Sequence, residues 1–520
     1  MPGYFALVSL ARVSTLPSAA TELRVRRLDA LPDAERAFVH IYGGCDPAFW
    51  LDSSSVGERG RFSFLGAAGG PLSAVVTYDV GSRQVRVARQ RRVEVRRESI
   101  FDFLATELRR LGAPRRRGPE LPFEFDCGFV GYLGYELKAD CDGGDAHAVP
   151  TPDAAFVLAD RLIALDHVEA RTYLLCLCEP GDGEEAESWL DGTEARLAAL
   201  PSLPDPEPAA PAAPTRFELR RSPRRYLEDV EACRRRLVAG ETYEVCLTNE
   251  VLAAPAPPPL PLYRALRRVN PAPYASFLRF GELAVLSSSP ERFLGVDRDG
   301  WAEARPIKGT IRRGKTPAED ARLAAELQAD AKSRAENVTI VDLLRNDLGR
   351  VCEYGTVTAP ELMRVETYET VHQLVSAVRG RLRAGVDAGA AVRACFPPGS
   401  MTGAPKRRTM EILDQLEGEG RGVYSGAIGY LGLGGGADFS VVIRSIVVRE
   451  GQATIGMGGA IVLQSDAQNE LREALLKAMA PARAIESVAA NTRCPAPTPK
   501  FSVPTFSEKL EIGHMYEEID

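Results

Sequence analysis

The sequence predicts an α+β protein with a large buried core. Short β-branched and aromatic runs are bounded by Gly/Pro turns, as at 74–78 and 85–88 about Gly81-Ser82. Segments of helical period stand apart from them, at 99–111, 184–200 and 226–239. The 520 residues are 45% hydrophobic and 26% charged, an ordinary globular composition.

Taken in order, residues 1–200 form a first region in which 156–159 and 173–177 read as further strands and 184–200 as an amphipathic helix. Residues 201–215 form a Pro/Ala-rich linker, with six prolines between 201 and 214, which neither helix nor sheet ladder accepts. The second region, 216–488, opens with the helix at 226–239, stopped by Gly240, and a strand at 243–247; 439–448 reads as one β run. The glycines between 432 and 436 read as a hairpin turn and not a dinucleotide fingerprint, since no helix follows. Residues 399–406 lack phosphate-loop spacing. Residues 489–520 are proline-rich and aperiodic, a mobile tail.

Several classes are excluded. A net charge of −7, with local basic runs such as Arg115-Arg116-Arg117 and Arg220-Arg221 short and without interleaved aromatics, argues against nucleic acid as partner. No window approaches the apolar length of a membrane span, and no signal peptide is visible. Ten scattered cysteines, with only Cys176 and Cys178 close together, read as free thiols in a reducing cytoplasm and not as a zinc site.

The chemistry-bearing residues lie downstream. Pro306-Ile307-Lys308-Gly309-Thr310 puts a lysine in a Gly-containing turn: a surface charge, or, if desolvated, an amine whose pKa falls until it is nucleophilic. Glu470, Glu473 and Lys477 fall on one helix face, and Glu336 lies on another helical pattern. They are solvated surface or an oxygen-only site suited to Mg²⁺; Glu470 alone reads as surface. Arg444 needs a carboxylate, from a ligand or from an internal salt bridge. Gly458-Gly459-Ala460 exposes amides to an anion or forms a bulge. Gly309-Thr310 and Thr402-Gly403 are comparable contact candidates.

Around these stand Ser287-Ser288-Ser289-Pro290-Glu291-Arg292-Phe293, Arg334-Ala335-Glu336-Asn337, Val371-His372-Gln373-Leu374, Pro397-Pro398-Gly399-Ser400-Met401-Thr402-Gly403-Ala404-Pro405-Lys406, Tyr424-Ser425-Gly426, Ile443-Arg444-Ser445 and Glu470-Leu471-Arg472-Glu473. In this order and spacing they resemble the chorismate-utilising enzymes, which include anthranilate, aminodeoxychorismate, isochorismate and salicylate synthases. The likeness is dense over 222–486 and looser upstream. It implies a two-layer β-sandwich core flanked by helices, whose halves interleave, so that 201–215 then reads as a surface loop. It implies Mg²⁺ held by Glu336 and Glu473, with Glu470 in an outer position. It also implies that Arg444 and Tyr424 bind the enolpyruvyl carboxylate. Gly309, Thr310, Thr402, Gly403, Gly458, Gly459, Ala460 and Lys477 are the remaining candidate substrate contacts that the likeness implies.

The branch follows from the nucleophile. Anthranilate synthases generally carry alanine at the place of Lys308. Lysine there resembles the covalent catalyst of the branch that aminates chorismate at C4. Isochorismate and salicylate synthases carry a water-activating lysine at the place of Glu244, where the ammonia-using groups commonly have glutamine. Glu291 is the candidate general acid, its pKa raised by burial behind Phe293, and His372 the second. The expected reaction is chorismate plus ammonia to 4-amino-4-deoxychorismate, for p-aminobenzoate in folate or antibiotic biosynthesis. No glutaminase nucleophile motif appears, so a glutamine amidotransferase subunit is the expected partner. The alternatives are an anthranilate-forming component or a silent chorismate-binding regulator. Asp52, Ser53 and Ser54, with Pro273 and Tyr274, sit where this superfamily can hold tryptophan.

Overall fold

The computed structural model describes residues 21–55, 60–90, 92–112, 120–144, 147–203, 215–368 and 371–489. Residues 204–214 of the expected linker, 490–520 of the expected tail and Arg115-Arg116-Arg117 lie outside the described residues.

Two 12-stranded antiparallel sheets pack face to face. The first runs Glu22–Leu28, Arg171–Cys178, Arg161–Asp166, Phe62–Ala67, Ala48–Asp52, Tyr274–Phe280, Leu283–Ser289, Ser445–Arg449, Gln452–Ile461, Glu244–Ala254 and Arg216–Leu219, with Gly403–Ala404 paired to Glu244–Ala254. The second runs Ile307–Arg312, Val371–Arg381, Trp301–Arg305, Arg292–Val296, Ala437–Val441, Ala427–Gly432, Gly128–Leu133, Ala154–Ala159, Ala74–Asp79, Gln84–Arg89 and Arg92–Arg97, with Thr358–Thr367 paired to Val371–Arg381. Each sheet therefore takes strands from both sides of 204–214. The joins are Ala48–Asp52 on Tyr274–Phe280 and Gly128–Leu133 on Ala427–Gly432.

The period of two along each strand builds two cores. In the first sheet Phe49, Phe64, Leu278 and Val285 face the second sheet. Their neighbours Trp50, Leu65, Phe277 and Leu286 face the helices Ala34–Tyr42, Pro223–Val238, Pro259–Val269 and Ala467–Ala489. Between the sheets Phe125 stacks on Tyr430 with centroids 4.5 Å apart, and Phe64 meets the same tyrosine edge-on at 5.7 Å. Among the described residues no helix is long and apolar enough to cross a membrane, and the nine described cysteines are free thiols.

Strand positions largely match the periodicity, and the glycines at 432–436 do join a paired hairpin. The run at 439–448 is different. It is two strands, Ala437–Val441 in the second sheet and Ser445–Arg449 in the first. The chain changes sheet between them, and Arg444 takes a left-handed φ of +53° to do so. Ser425 N–H on Val442 O at 3.0 Å and Ser288 N–H on Arg444 O at 3.2 Å pin the crossing.

Candidate active site

Lys308 lies on Ile307–Arg312 and is 7% exposed. Its ammonium donates to Glu244 Oε1 at 2.8 Å, and Glu244 is fully buried. Burial alone would push the lysine pKa down. The carboxylates of Glu244 and Glu336 outweigh it, and the pKa rises. The lowered lysine pKa expected from desolvation is thus corrected: burial brought a counter-charge with it. Gly309 follows with φ +84°, and a Cβ there would stand 2.6 Å from Ser333 Oγ. Glycine is required to press this turn onto the start of helix Ala331–Gly349, which Asp330 caps by accepting from Ser333 N–H at 2.7 Å. Thr310 is exposed.

Glu291 is buried beside this turn. Burial raises its pKa to about 7, against the opposing hydrogen bond of Ser400, the charge of Lys308 and the Ile307 amide. Such a carboxyl is still partly protonated near neutrality, where an ordinary glutamate has released its proton.

The acidic cluster centres on a residue that the sequence reading passed over. Lys332, one turn before Glu336, donates to Glu470 at 2.7 Å and stands 3.7 Å from both Glu336 and Glu473. Glu470 is 1% exposed, not surface, and its Oε2 has no hydrogen-bond partner among the described residues. Burial raises Glu336 to about 7. Glu473 falls to about 2, because Lys477 at 2.8 Å and Lys332 outweigh its own burial. Among the described residues no three acidic, His or Cys side chains are near enough to ligate a metal as they stand. Yet the donor set is all oxygen, comes from two helices, already surrounds a cation and holds one orphaned oxygen. Those features fit a hard divalent ion.

A gap in the first sheet forms the other wall. Gln452–Ile461 pairs along one edge with Glu244–Ala254, but on its other edge Ser445–Arg449 reaches only Thr454. Arg444 stands at that gap, half-buried, with no ion pair or side-chain hydrogen bond among the described residues. Burial lowers its pKa, against the pull of Tyr424 and Glu473. The internal salt bridge left open by the sequence is not formed. A Cβ on Gly456 would strike the Tyr424 ring at 2.1 Å, so this glycine, unremarked in the sequence, makes the ring's seat. Gly458, Gly459 and Ala460 sit in regular pairing opposite Thr248, Leu247 and Cys246. The missing Cβ of Gly459 points toward Glu470 Oε2, 3.4 Å away, and Lys477 Nζ, 3.6 Å away; Lys477 also donates to Gly458 O at 2.8 Å.

Thr402 and Gly403 bring the Pro-Gly loop to the same strand. A Cβ on Gly403, at φ +134°, would lie 2.0 Å from Glu244 O. Arg421, clamped by Glu417, ties the loop to that strand through Met401 O at 2.6 Å and Cys246 O at 2.8 Å. Lys406, the last residue of the motif, is buried on Asp347 at 2.6 Å and on two carbonyls, a loop anchor.

Two groups stand apart. His372 is 2% exposed with both ring nitrogens engaged, by Thr367 at 2.8 Å and Asp320 at 2.9 Å. Asp52, Ser53, Ser54, Pro273 and Tyr274 do come together, on a separate cavity of about 1020 Å³. Asp52 there is already bound by Arg267 at 2.8 Å and Tyr263 at 3.1 Å, so its carboxylate is not free for an amino-acid ammonium.

Comparison with known proteins accords with this geometry. Residues 49–483 match the family described as chorismate binding enzyme. An aminodeoxychorismate synthase of Streptomyces pristinaespiralis is 52% identical over 89% of this chain and 65% of its own length. An anthranilate synthase component 1 of Methanothermobacter thermautotrophicus is 38% identical over 86% of this chain and 91% of its own. The crystal structure of anthranilate synthase component I from Streptococcus pneumoniae TIGR4 superposes with a TM-score of 0.69 at 29% identity, covering 82% of this chain and 92% of that one. The chain spans slightly less than two thirds of the first of these relatives. By the extent of the family match and by the 38% relative that it spans almost entirely, the chain belongs to the chorismate binding enzyme family.

Proposed function

We propose that this chain aminates chorismate at C4, giving 4-amino-4-deoxychorismate for p-aminobenzoate formation. The observation that carries the reading is the burial of Lys308 against Glu244, under the charge of Glu336 and beside Glu291. Arg444, lacking a protein carboxylate, takes the enolpyruvyl carboxylate with Tyr424 beside it. Glu336 and Glu473, with Glu470 nearby, would hold Mg²⁺, which when bound would supply electrophilic pull on the ring carboxylate. Lys308 attacks C2 while Glu291 protonates the departing C4 hydroxyl. Ammonia then enters at C4 and expels the lysine, which is why nitrogen ends where oxygen was. The 52% identity to a protein named aminodeoxychorismate synthase supports this branch. In the same reading the ammonia comes from glutamine through an amidotransferase partner. In this reading Glu291 is the acid, and His372, engaged by Thr367 and Asp320, positions strand Val371–Arg381 against helix Pro317–Ala329.

The test is product analysis from chorismate, Mg²⁺ and ammonium. The expected product is non-aromatic, carries nitrogen at C4, and becomes p-aminobenzoate only when a lyase is added. Fluorescent anthranilate formed directly would favour the anthranilate-forming alternative; no turnover would favour the silent regulator.

A further inference from the structure

We infer that Glu244 is the proton acceptor that turns the buried Lys308 ammonium into a nucleophilic amine, an inference that rests on the reading of Lys308 as covalent catalyst. An ammonium has no lone pair to donate, so it must lose a proton before it can attack carbon. Lys308 Nζ reaches Glu244 Oε1 at 2.8 Å, its one hydrogen bond among the described residues. Glu244 is fully buried, and its Oε2 has no hydrogen-bond partner among the described residues. Its backbone is fixed: Tyr243 N–H bonds Ala404 O at 2.7 Å, Thr242 Oγ1 bonds Glu244 O at 3.0 Å, and Gly403 packs on the same carbonyl. The carboxylate is therefore held on the lysine by the sheet.

The other groups that act on this lysine come from every neighbouring element. They are Cys246 on the same strand, Glu336 from helix Ala331–Gly349, Glu473 from helix Ala467–Ala489, and Glu291 from the turn before Arg292–Val296. Among them Glu244 alone is in hydrogen-bond contact with Nζ among the described residues.

Lys308 Nζ gives one proton to Glu244, leaving a neutral amine and a carboxylic acid. The amine lone pair forms the N–C2 bond. The C1–C2 double-bond pair moves to C1–C6, and the C5–C6 pair moves to C4–C5. The C4–O bond breaks, and the oxygen leaves as water with the proton of Glu291. When ammonia enters C4 the pairs shift back and the C2–N bond breaks. The new C4 ammonium then returns a proton to Glu291, and the freed lysine amine recovers its own from Glu244.

The experiment follows adduct growth on wild-type protein and on Glu244→Gln by intact-protein mass spectrometry. Chorismate and Mg²⁺ are present, ammonia is absent, and the pH runs from about 6 to about 9. The variant should form the Lys308 adduct on the order of 100-fold more slowly than wild type at neutral pH, and this ratio should shrink as pH rises, since loss of the Glu291 proton slows both proteins alike. Burial supplies the opposite outcome: if the low-dielectric site alone strips the proton, Glu244→Gln reacts as fast as wild type with the same profile, and the assignment is overturned. Wild-type turnover without any lysine adduct overturns it too. Glu244→Ala with added formate is the second arm, where adduct formation should recover with formate concentration. A folded alanine variant that formate does not restore counts against the proton-acceptor role. Ammonium-dependent product from wild type is measured on the same samples. An adduct with no aminated product leaves Glu244 its role and removes the amination reading instead.

Discussion

At the scale of single residues, charge placed without a partner is the most informative feature. Arg444 stands at the sheet crossing with no ion pair among the described residues, and the cost of holding it there is offset when a ligand carboxylate arrives. Arg444→Met should raise the KM for chorismate roughly 100-fold, the worth of about 3 kcal/mol for a charged hydrogen-bonded contact. Steady-state kinetics with saturating Mg²⁺ checks this, and an unchanged KM would remove Arg444 from the substrate site. Glu336→Gln and Glu473→Gln each take a charge from the oxygen cluster. Both should move the Mg²⁺ titration to much higher concentration and collapse turnover. Normal titration curves in both variants would sink the metal assignment. Glu291 adds a pH dependence: with its pKa near 7, the proton-donating form is lost as pH rises through that value, so kcat/KM should fall on the alkaline side.

At the scale of elements, the site depends on two glycines, Gly309 and Gly403, that press one segment onto another. Gly403→Ala combines a left-handed backbone with a Cβ 2.0 Å from Glu244 O, whereas Gly435→Ala has a comparable φ of +95° and open space. The second should cost about 1 kcal/mol in urea unfolding. The first should cost distinctly more and abolish activity, because it displaces the strand that carries Glu244. Equal losses would mean that the close approach does not matter. These elements also show what the sequence could reveal. The strands, the hairpin glycines and the motif residues were legible because period and spacing are local properties. Lys332 was not: its bond to Glu470 joins residues 138 apart, and nothing local marks a lysine as the centre of three carboxylates. Only its i, i+4 spacing to Glu336 offered a signal. The break at Arg444 was hidden because the flanking segments together read as one β run, and which sheet each joins is decided by distant partners. Glu470 read as surface since a helix wheel shows a face but not what covers it.

At the scale of the whole molecule, the two sheets bind both halves of the chain together. A single cut placed between 204 and 214 should leave two fragments that co-elute and remain active, since strands from either side are hydrogen-bonded in both sheets. Fragments that separate in buffer without denaturant would contradict that topology. Buried acids set the response to pH. Glu136, Glu291, Glu336 and Glu486 are raised to about 7, and Asp160 to about 6, mainly by burial. The folded chain keeps these protons in a window where the unfolded chain has released them, so stability falls as pH rises from the unfolded values toward 7. His167, with a lowered pKa, works in the opposite sense below its usual value, but it is a single group. Without Mg²⁺, the melting temperature should therefore be higher at about pH 6 than at about pH 8. A higher value at the alkaline end would show that these carboxyls are ionised in the folded state.

The central claim is that Lys308 bonds to chorismate before ammonia does. It is tested most directly by digesting wild-type protein that has been mixed with chorismate and Mg²⁺ in the absence of ammonia, and weighing the peptide that contains Lys308. The account predicts a gain equal to chorismate less one water on that peptide, absent from Lys308→Ala, whose activity drops strongly and whose residual product shifts toward anthranilate. An unmodified peptide, together with an alanine variant that turns over at the wild-type rate, would contradict it and leave Lys308 as a charged wall of the pocket.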